Sequence, residues 1–442
     1  MFTANAEIEN LPINVYLVGG AVRDKLLNRP VKDYDYLVVG SSVAQMLSLG
    51  FQQVGKDFPV FLHPKTKAEY ALARTERKVG QGYTGFNCDF SDDVTIEQDL
   101  RRRDLTVNAI AMNVDGQLID PYHGQDDLNN RVLRHVSEAF IEDPLRVLRV
   151  ARFAARYHKY GFTIAAETLR LMQKIAHSGE LHHLTAERVW HEMQLSLADG
   201  GEQAGNPEVF FKVLHQCHAL AVLWPELDNL WGIPNPALWH PEICSGVHTM
   251  MVLQQAVKLS EALPTMTKEQ KTAVRFAAVC HDLGKGLTQE PLLPSHKGHE
   301  KSGLSLVEKI CKQLKVPSHY QQLALKVCEY HLHSHKAFDL KPSTLLQMFN
   351  KLDIWRKPDV FELFLIVCKA DFLGRLGFEN RPYPQTGYLL AAANNAQKVI
   401  ARPYVEAGLK GLAIKEAIAK ERLHSLTITK AEFASLNPNL ST

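Results

Sequence analysis

The chain has 442 residues, of which 45% are hydrophobic and 22% charged, with a formal net charge of +2. At about 100–200 residues per domain this predicts two to four domains with buried cores, and it excludes a mostly disordered chain or a uniformly basic nucleic-acid coat. No apolar run approaches the roughly 20 residues that span a bilayer, and no signal-peptide pattern opens the chain. Seven dispersed cysteines without a CxxC pair argue against a disulfide framework and a zinc ribbon, so a cytoplasmic, membrane-free protein is expected.

Residues 13–130 read as α/β. INVYLVGG (13–20) is an apolar strand ending in glycines, and AVRDKLLNR (21–29) follows with helical spacing. DYDYLVVG (33–40), VFLHP (60–64) and EYALART (69–75) are further strand candidates. Residues 80–93, rich in glycine and aspartate, predict a loop. GQLIDPYHG (116–124) reads as a strand and a turn. From about 140 the pattern turns helical, and EDPLRVLRVARFAARY (142–157) places apolar residues at three- and four-residue intervals. Residues 131–159 carry seven cations against three anions, a local excess suited to phosphate. A loop at 198–207 and a proline- and tryptophan-rich junction at 223–242 precede a histidine-rich helical segment (246–375) and a helical tail.

Three constellations carry chemistry. Gly19-Gly20 between a strand and a helix lets backbone approach a phosphate, and Arg23 can add a charge-assisted contact. Asp33 and Asp35, spaced i and i+2, share a face of a strand; two such carboxylates repel unless a cation joins them, and Mg²⁺ suits them. A Gly-Gly turn alone is a weak signal and a capped turn is the bland alternative for the two aspartates alone, but their succession favours metal and triphosphate.

The second constellation begins with Arg101-Arg102-Arg103, followed by Asp104, Thr106 and Asn108, cations for phosphates and polar groups for a ribose. Asp143 and Arg146, three apart on a helix, are either a cap with its ion pair or a base reader. A carboxylate accepts from the exocyclic amine of cytosine or adenine, whereas guanine and uracil present a carbonyl there. Arg149 and Arg152 extend the ladder toward phosphates or the nucleotide.

The third constellation is histidine-rich. His248 precedes His281-Asp282 (within HDLGKG), and His296, His299, His331, His333, His335 and Asp371 follow. Imidazole and carboxylate together suit Ni²⁺, Co²⁺, Mn²⁺ or Zn²⁺.

GGAVRD (19–24), DYD (33–35), RRRDLTVNA (101–109), DPYHGQDDL (120–128) and EDPLRVLRVARF (142–153) resemble, in order, the motifs of class II tRNA nucleotidyltransferases, the CCA-adding enzymes. The downstream HDLGKG segment resembles the HD phosphohydrolase domain carried by the gammaproteobacterial branch of that family.

The resemblance implies an α+β chain, with an α/β nucleotidyltransferase head followed by an all-helical neck, body and tail. The expected divisions are a catalytic head at 1–139, a nucleotide-selecting neck and body at 140–240, an HD domain at 241–375 and a tail at 376–442. It implies template-independent addition of C, C and A to the tRNA 3′ end from CTP and ATP, with pyrophosphate released. Asp33 and Asp35 are then the catalytic Mg²⁺ ligands. Gly20, Arg23, Arg103, Asp143, Arg146, Arg149 and Arg152 bind the nucleotide, and the loop near 77–86 aids the switch from C to A addition.

For the HD segment the family implies 2′,3′-cyclic phosphodiesterase, 2′-nucleotidase and phosphatase activity on Ni²⁺ or another transition metal, with His248, His281, Asp282, His331 and Asp371 as ligands. Where an acidic residue is expected beside His331 the chain has Leu332, and His333 is the substitute donor considered. Two rival readings share these motifs: a bacterial poly(A) polymerase, and an HD hydrolase with an inactive RNA-binding head. A monomer and a homodimer are both compatible with the sequence.

Overall fold

The structure is a computed structural model that describes residues 12–31, 33–54, 60–78, 86–199 and 205–436. Two compact units emerge, Met1–Ser196 with Val209–Leu223 and Leu197–Glu208 with Trp224–Thr442.

The first unit opens with β1 (Asn14–Val18), α1 (Gly20–Leu26), β2 (Asp35–Val39), α2 (Val43–Ser48), β3 (Gln52–Val54), β4 (Val60–Leu62) and β5 (Glu69–Leu72). Next come β6 (Thr75–Lys78), β7 (Phe86–Asp89), α3 (Ile96–Arg101), β8 (Ala111–Met112), β9 (Leu118–Ile119) and α4 (Gly124–Asn130). Seven strands form one mixed sheet in the order β3-β4-β5-β2-β1-β8-β9. Only the β2–β5 pairing in it is parallel, with Asp35 opposite Glu69.

Successive strand residues point to opposite faces, so a sheet covered on both sides reads as an unbroken apolar run. This explains YLVVG: Val38 packs with Val15, Phe61 and Tyr70 on one side, while Leu37 packs with Val18, Leu100 and Ala111 on the other.

The sequence expectation differs from the fold in three places. The loop read at 80–93 contains β7, which pairs antiparallel with β6. A strand pairing is set by its partner's backbone, and these residues carry little intrinsic signal of it. EYALART is not one strand but parts of two, β5 and β6. Asp33 lies just before β2 rather than inside it. Residues 79–85, most of the loop linked to C-to-A switching, fall outside the described residues.

The helical run follows as β10 (Val132–Leu133), α5 (Leu145–Tyr157), β11 (Thr163–Ile164), α6 (Ala166–His177), α7 (Ala186–Ala198), α8 (Pro207–Gln216) and α9 (Ala219–Leu223). α5 buries its apolar stripe, Val147, Leu148, Val150 and Ala151, and carries its arginines on the remaining faces.

In the second unit α10 (Pro225–Asp228) leads into α11 (Ser245–Glu261), α12 (Lys268–Cys280), α13 (His299–Leu314), α14 (Ser318–His335), α15 (Pro342–Leu352) and α16 (Pro358–Leu373). α17 (Gln385–Gln397), α18 (Arg402–Glu406) and α19 (Leu412–Leu436) complete it. A capping box of Thr267 and Gln270 starts α12, the helix that ends at the His-Asp pair. All seven cysteines are free thiols, five of them buried.

Gly284, in the short 3₁₀ turn after His281-Asp282, is a contact point for α13. A Cβ there would lie 2.0 Å from the His299 carbonyl oxygen and 2.7 Å from the Gly303 nitrogen. Gly284→Ala is therefore expected to destabilise the second unit by about 1–3 kcal/mol, the usual cost of overpacking. The check is the urea midpoint, which should fall with the m-value unchanged; an unaltered midpoint would show that α13 does not press on this turn.

Candidate functional site

In the first unit the strand-to-helix turn is built on Gly19, whose φ of 66° lies in the left-handed region. A Cβ at Gly19 would come within 2.8 Å of Arg103 Nη1, so the glycine lets that guanidinium lie directly over the turn. Arg103 is held by Asp99, one turn earlier on α3, at 3.1 Å. The same carboxylate takes Arg102 at 2.6 Å and accepts the Arg74 backbone N–H. Asp99 is fully buried. Although burial raises a carboxyl pKa, Arg102 and Arg103 more than offset that and hold Asp99 below its ordinary value. Its i,i+3 and i,i+4 spacing to Arg102 and Arg103 is the sequence signal that would have found it.

Asp33 and Asp35 both open to solvent beside this turn. Protein packed around Asp35 partly desolvates its carboxyl and raises its pKa; Arg103 opposes the rise and Asp33 adds to it. Two mutually repelling carboxylates near a fixed cation fit a divalent ion and its phosphate ligand.

Arg23 sits below the turn. It is 4% exposed, paired with Asp24 at 3.0 Å, bonded to the Asn108 side chain, and lies against the faces of Phe153 and Tyr157. The structure thus shows Arg23 buried and paired at the Gly19 turn, where the sequence reading expects it to contact the nucleotide. Tyr157 Oη donates to Asp24 at 3.0 Å and ties α5 to α1.

The predicted base-reading pair does not form an ion pair with itself. Asp143 accepts the Leu145 backbone N–H, capping α5, and its carboxylate meets Arg188 of α7 at 3.1 Å. Arg146, 8% exposed, donates to the carbonyls of Ala139 and Arg102. Both side chains are thereby fixed separately.

Arg149 bonds Asp104 at 2.8 Å, and Arg152 bonds Glu192 of α7 at 2.6 Å. Burial raises the Asp104 carboxyl, but Arg149 and the Asn108 amide outweigh it and hold the group well below the carboxylate range. Glu192 and Arg188 stand 40 and 45 residues from their partners, and no local pattern announces them.

In the second unit the five expected HD residues do come together, all buried: His248 (α11), His281 and Asp282 after α12, His331 (α14) and Asp371 (α16). His248 Nε2 lies 3.1 Å from Asp371 Oδ1, and His281 Nε2 lies 3.1 Å from Asp282 Oδ2. His299, the first residue of α13, joins them 3.0 Å from Asp282 Oδ1, with His331 Nε2 at 3.5 Å from the same atom.

The backbone orients three of these rings. The Nδ1 atoms of His281, His299 and His331 meet carbonyls of Ala278, His296 and Val327 at 2.7, 2.7 and 3.0 Å. Each Nε2 then turns a lone pair inward. His281 Nε2 and Asp282 Oδ1 are buried without a hydrogen-bond partner. Buried lone pairs facing carboxylates fit a cation, and the mixed imidazole–carboxylate set fits a transition metal.

The pKa directions agree. Burial alone would lower His281, yet Asp282 and Asp371 raise it. For His331 burial outweighs the opposing pull of Asp282 and Asp371 and pushes the imidazole down to about 3.

His333 does not substitute at the position of Leu332. It faces away from the cluster and lines a separate cavity of about 430 Å³ with Glu300, Glu329 and Tyr330. Residues two apart on a helix diverge by some 200°, so His331 and His333 cannot serve one ion. The extra donors are His299 and, one turn along α14, His335, whose Nε2 contacts Asp371 at 2.6 Å. His296 is satisfied by Thr288 and the Pro234 carbonyl.

Comparison with known proteins bears on both sites. Residues 15–134 match the poly A polymerase head domain, 161–230 the probable RNA and SrmB binding site of polymerase A, and 246–370 the HD domain. Over 421 residues the chain is similar to the multifunctional CCA protein of Haemophilus influenzae strain PittGG, with 56% identity over 95% of this chain and 99% of that one. The Pseudoalteromonas atlantica protein of the same name is 58% identical over 95% and 100%.

This chain belongs to the multifunctional CCA protein family.

Among solved structures, a CCA-adding enzyme in its apo form II shares the fold at a TM-score of 0.63, with 19% identity over 98% of this chain and 92% of that one. The Thermotoga maritima CCA-adding enzyme complexed with tRNA does so at 0.60, with 19% identity over 97% and 92%. The α+β head and helical remainder are those of this family, and the HD domain carries His/Asp clusters able to hold metal. Among the described residues no helix is long and apolar enough to cross a membrane.

Proposed function

We propose that this protein adds and repairs the 3′-terminal CCA of tRNA in the cytoplasm from CTP and ATP, and that its HD domain is a metal-dependent phosphohydrolase. The observation that carries the transferase reading is the open Asp33–Asp35 pair beside a guanidinium clamped over a glycine turn.

Asp33 and Asp35 would hold Mg²⁺, which when bound would supply a lowered pKa to the RNA 3′-hydroxyl and charge stabilisation to the pyrophosphate leaving group. Gly20 and Arg103 receive the triphosphate, with Arg23 bracing the turn from below. The RNA 3′ oxygen forms its bond to the α-phosphorus as the bond to pyrophosphate breaks, so charge grows on oxygens facing Arg103. Arg149 and Arg152, each pinned by a carboxylate, frame the nucleotide on α5.

Asp143 accepts from the amine of cytosine or adenine, and Arg146 donates to the ring acceptors. Replacing both residues with alanine is expected to relax discrimination against GTP and UTP, each contact being worth about 1–3 kcal/mol by analogy with base readout. Competition assays with all four nucleotides measure this; a double variant still strict for C and A would remove the base-reader assignment.

In the HD domain, His248, His281, Asp282, His331 and Asp371, joined by His299, would hold Ni²⁺ or a similar ion, which would supply an activated water for attack on a phosphoester. The expected substrates are 2′,3′-cyclic phosphates, 2′-nucleotides and phosphomonoesters. Product sequencing tests the transferase reading: growth of truncated tRNA ends that stops at CCA supports it, and an indefinite A tail restores the poly(A) polymerase alternative.

A further inference from the structure

One carboxylate beside the HD cluster belongs to no part of the His-Asp motif. Glu242 lies in the segment before α11, and its side chain is 2% exposed. Its Oε1 accepts from His240 Nδ1 at 2.9 Å and lies 2.9 Å from Nδ1 of His248, a close charge contact that is not aligned as a hydrogen bond. Its Oε2 accepts the backbone N–H of Leu376 at 3.2 Å, just beyond α16, the helix that carries Asp371. Glu242 therefore touches the imidazole on α11 and the chain leaving α16. These two helices supply the facing pair His248 Nε2 and Asp371 Oδ1, 3.1 Å apart.

His248 differs in its Nδ1 contact from His281, His299 and His331. His281, His299 and His331 each direct Nδ1 at a main-chain carbonyl three or four residues back. At His248 the carbonyl four residues back, on Cys244, is taken by the His248 backbone N–H. Its Nδ1 faces a side chain instead. A carboxylate on Nδ1 keeps the proton there and leaves Nε2 as the lone-pair donor, and it raises the ligand's basicity. The His240 ring stands edge-on to His248 with centroids 4.5 Å apart, which limits rotation of the imidazole.

We propose that Glu242 is a positioning residue of the HD centre, fixing the tautomer and orientation of His248 as a metal ligand and tying it to the end of α16. The proposal rests on the metal reading of the HD cluster. It adds a role for a residue 39 positions before His281 of the His-Asp pair.

The test uses the full chain, stripped of metal and titrated with Ni²⁺ by calorimetry and with Co²⁺ by visible absorption. Glu242→Ala is expected to weaken Ni²⁺ binding about 10–100-fold, the range for removing an outer-shell partner. Glu242→Gln, nearly isosteric, is expected to weaken it less, to keep the far-UV circular dichroism and urea midpoint of the unmodified protein, and to change the Co²⁺ band positions. Should Glu242→Ala fail to fold, the Glu242→Gln affinity and spectrum decide alone.

Unmodified affinity and spectrum in Glu242→Gln together with unmodified affinity in a folded Glu242→Ala would overturn the proposal. So would loss of one whole equivalent of metal with the remainder bound as before, because Glu242 would then be a ligand of a separate His240–Glu242–His248 site. An unmodified protein that binds neither ion refutes the metal reading itself, a result distinguishable from both.

Discussion

Labelled CTP is expected not to enter truncated tRNA when Asp33 and Asp35 are both changed to alanine. Both carboxylates are exposed at the start of β2, so their removal leaves the sheet core untouched and should alter stability by no more than about 0.5 kcal/mol. What disappears is the pair of oxygen donors proposed to hold a divalent ion. Removing one preorganised transition-state stabiliser typically costs about 10²–10³-fold in kcat, and removing both metal ligands should exceed that range. Arg103 still lies over Gly19, so nucleotide affinity should change far less than turnover. Hydrolysis of a 2′,3′-cyclic nucleotide by the same preparation should persist. Persistent CTP incorporation would refute the assigned role of these carboxylates.

The second large effect is expected at Asp282. Its two oxygens face different donors, Oδ2 toward His281 and Lys285 and Oδ1 toward His299 and His331. Burial raises the pKa of a carboxyl, yet His281 and Lys285 outweigh it and hold Asp282 ionised well below the ordinary value. Asp282→Asn keeps the volume but removes the charge that draws a cation into the cluster. Cyclic phosphodiesterase turnover should fall by more than about 100-fold, the upper range for merely losing an outer-shell partner, while CCA addition is retained. A variant that hydrolyses at the unmodified rate would place the hydrolytic centre elsewhere.

Much of both sites was legible because their chemistry is written in short contiguous strings. Gly19-Gly20, Asp33 and Asp35, and His281-Asp282 each announce a function within a few residues, and the fold leaves each string local. The helix α5 was equally readable, since its apolar stripe repeats at helical spacing over Leu145–Tyr157. What the sequence concealed are the residues that hold these groups in place. Asp99, Arg188, Glu192 and Glu242 are single charges in unremarkable settings, and only the folded backbone brings the last three to their partners.

Spacing alone also misled at two points. Asp143 and Arg146 are neighbours on a helix, but buried carbonyls need donors, and Arg146 satisfies two of them while Arg188 takes Asp143. His333 stood next in line after His331, but helix geometry turns it to the opposite side, and His299 arrives from another helix. Strand β7 was hidden for a related reason, because its pairing with β6 depends on a partner rather than on its own residues.

The account turns on metal held by Asp33 and Asp35. A crystal structure of the protein with Mg²⁺, tRNA lacking its terminal adenosine and a non-hydrolysable ATP analogue tests it directly. The predicted result is ion density joining both carboxylates to the triphosphate, with the RNA 3′-hydroxyl in line with the α-phosphorus. A triphosphate seated away from both carboxylates, with no ion between them, would contradict it.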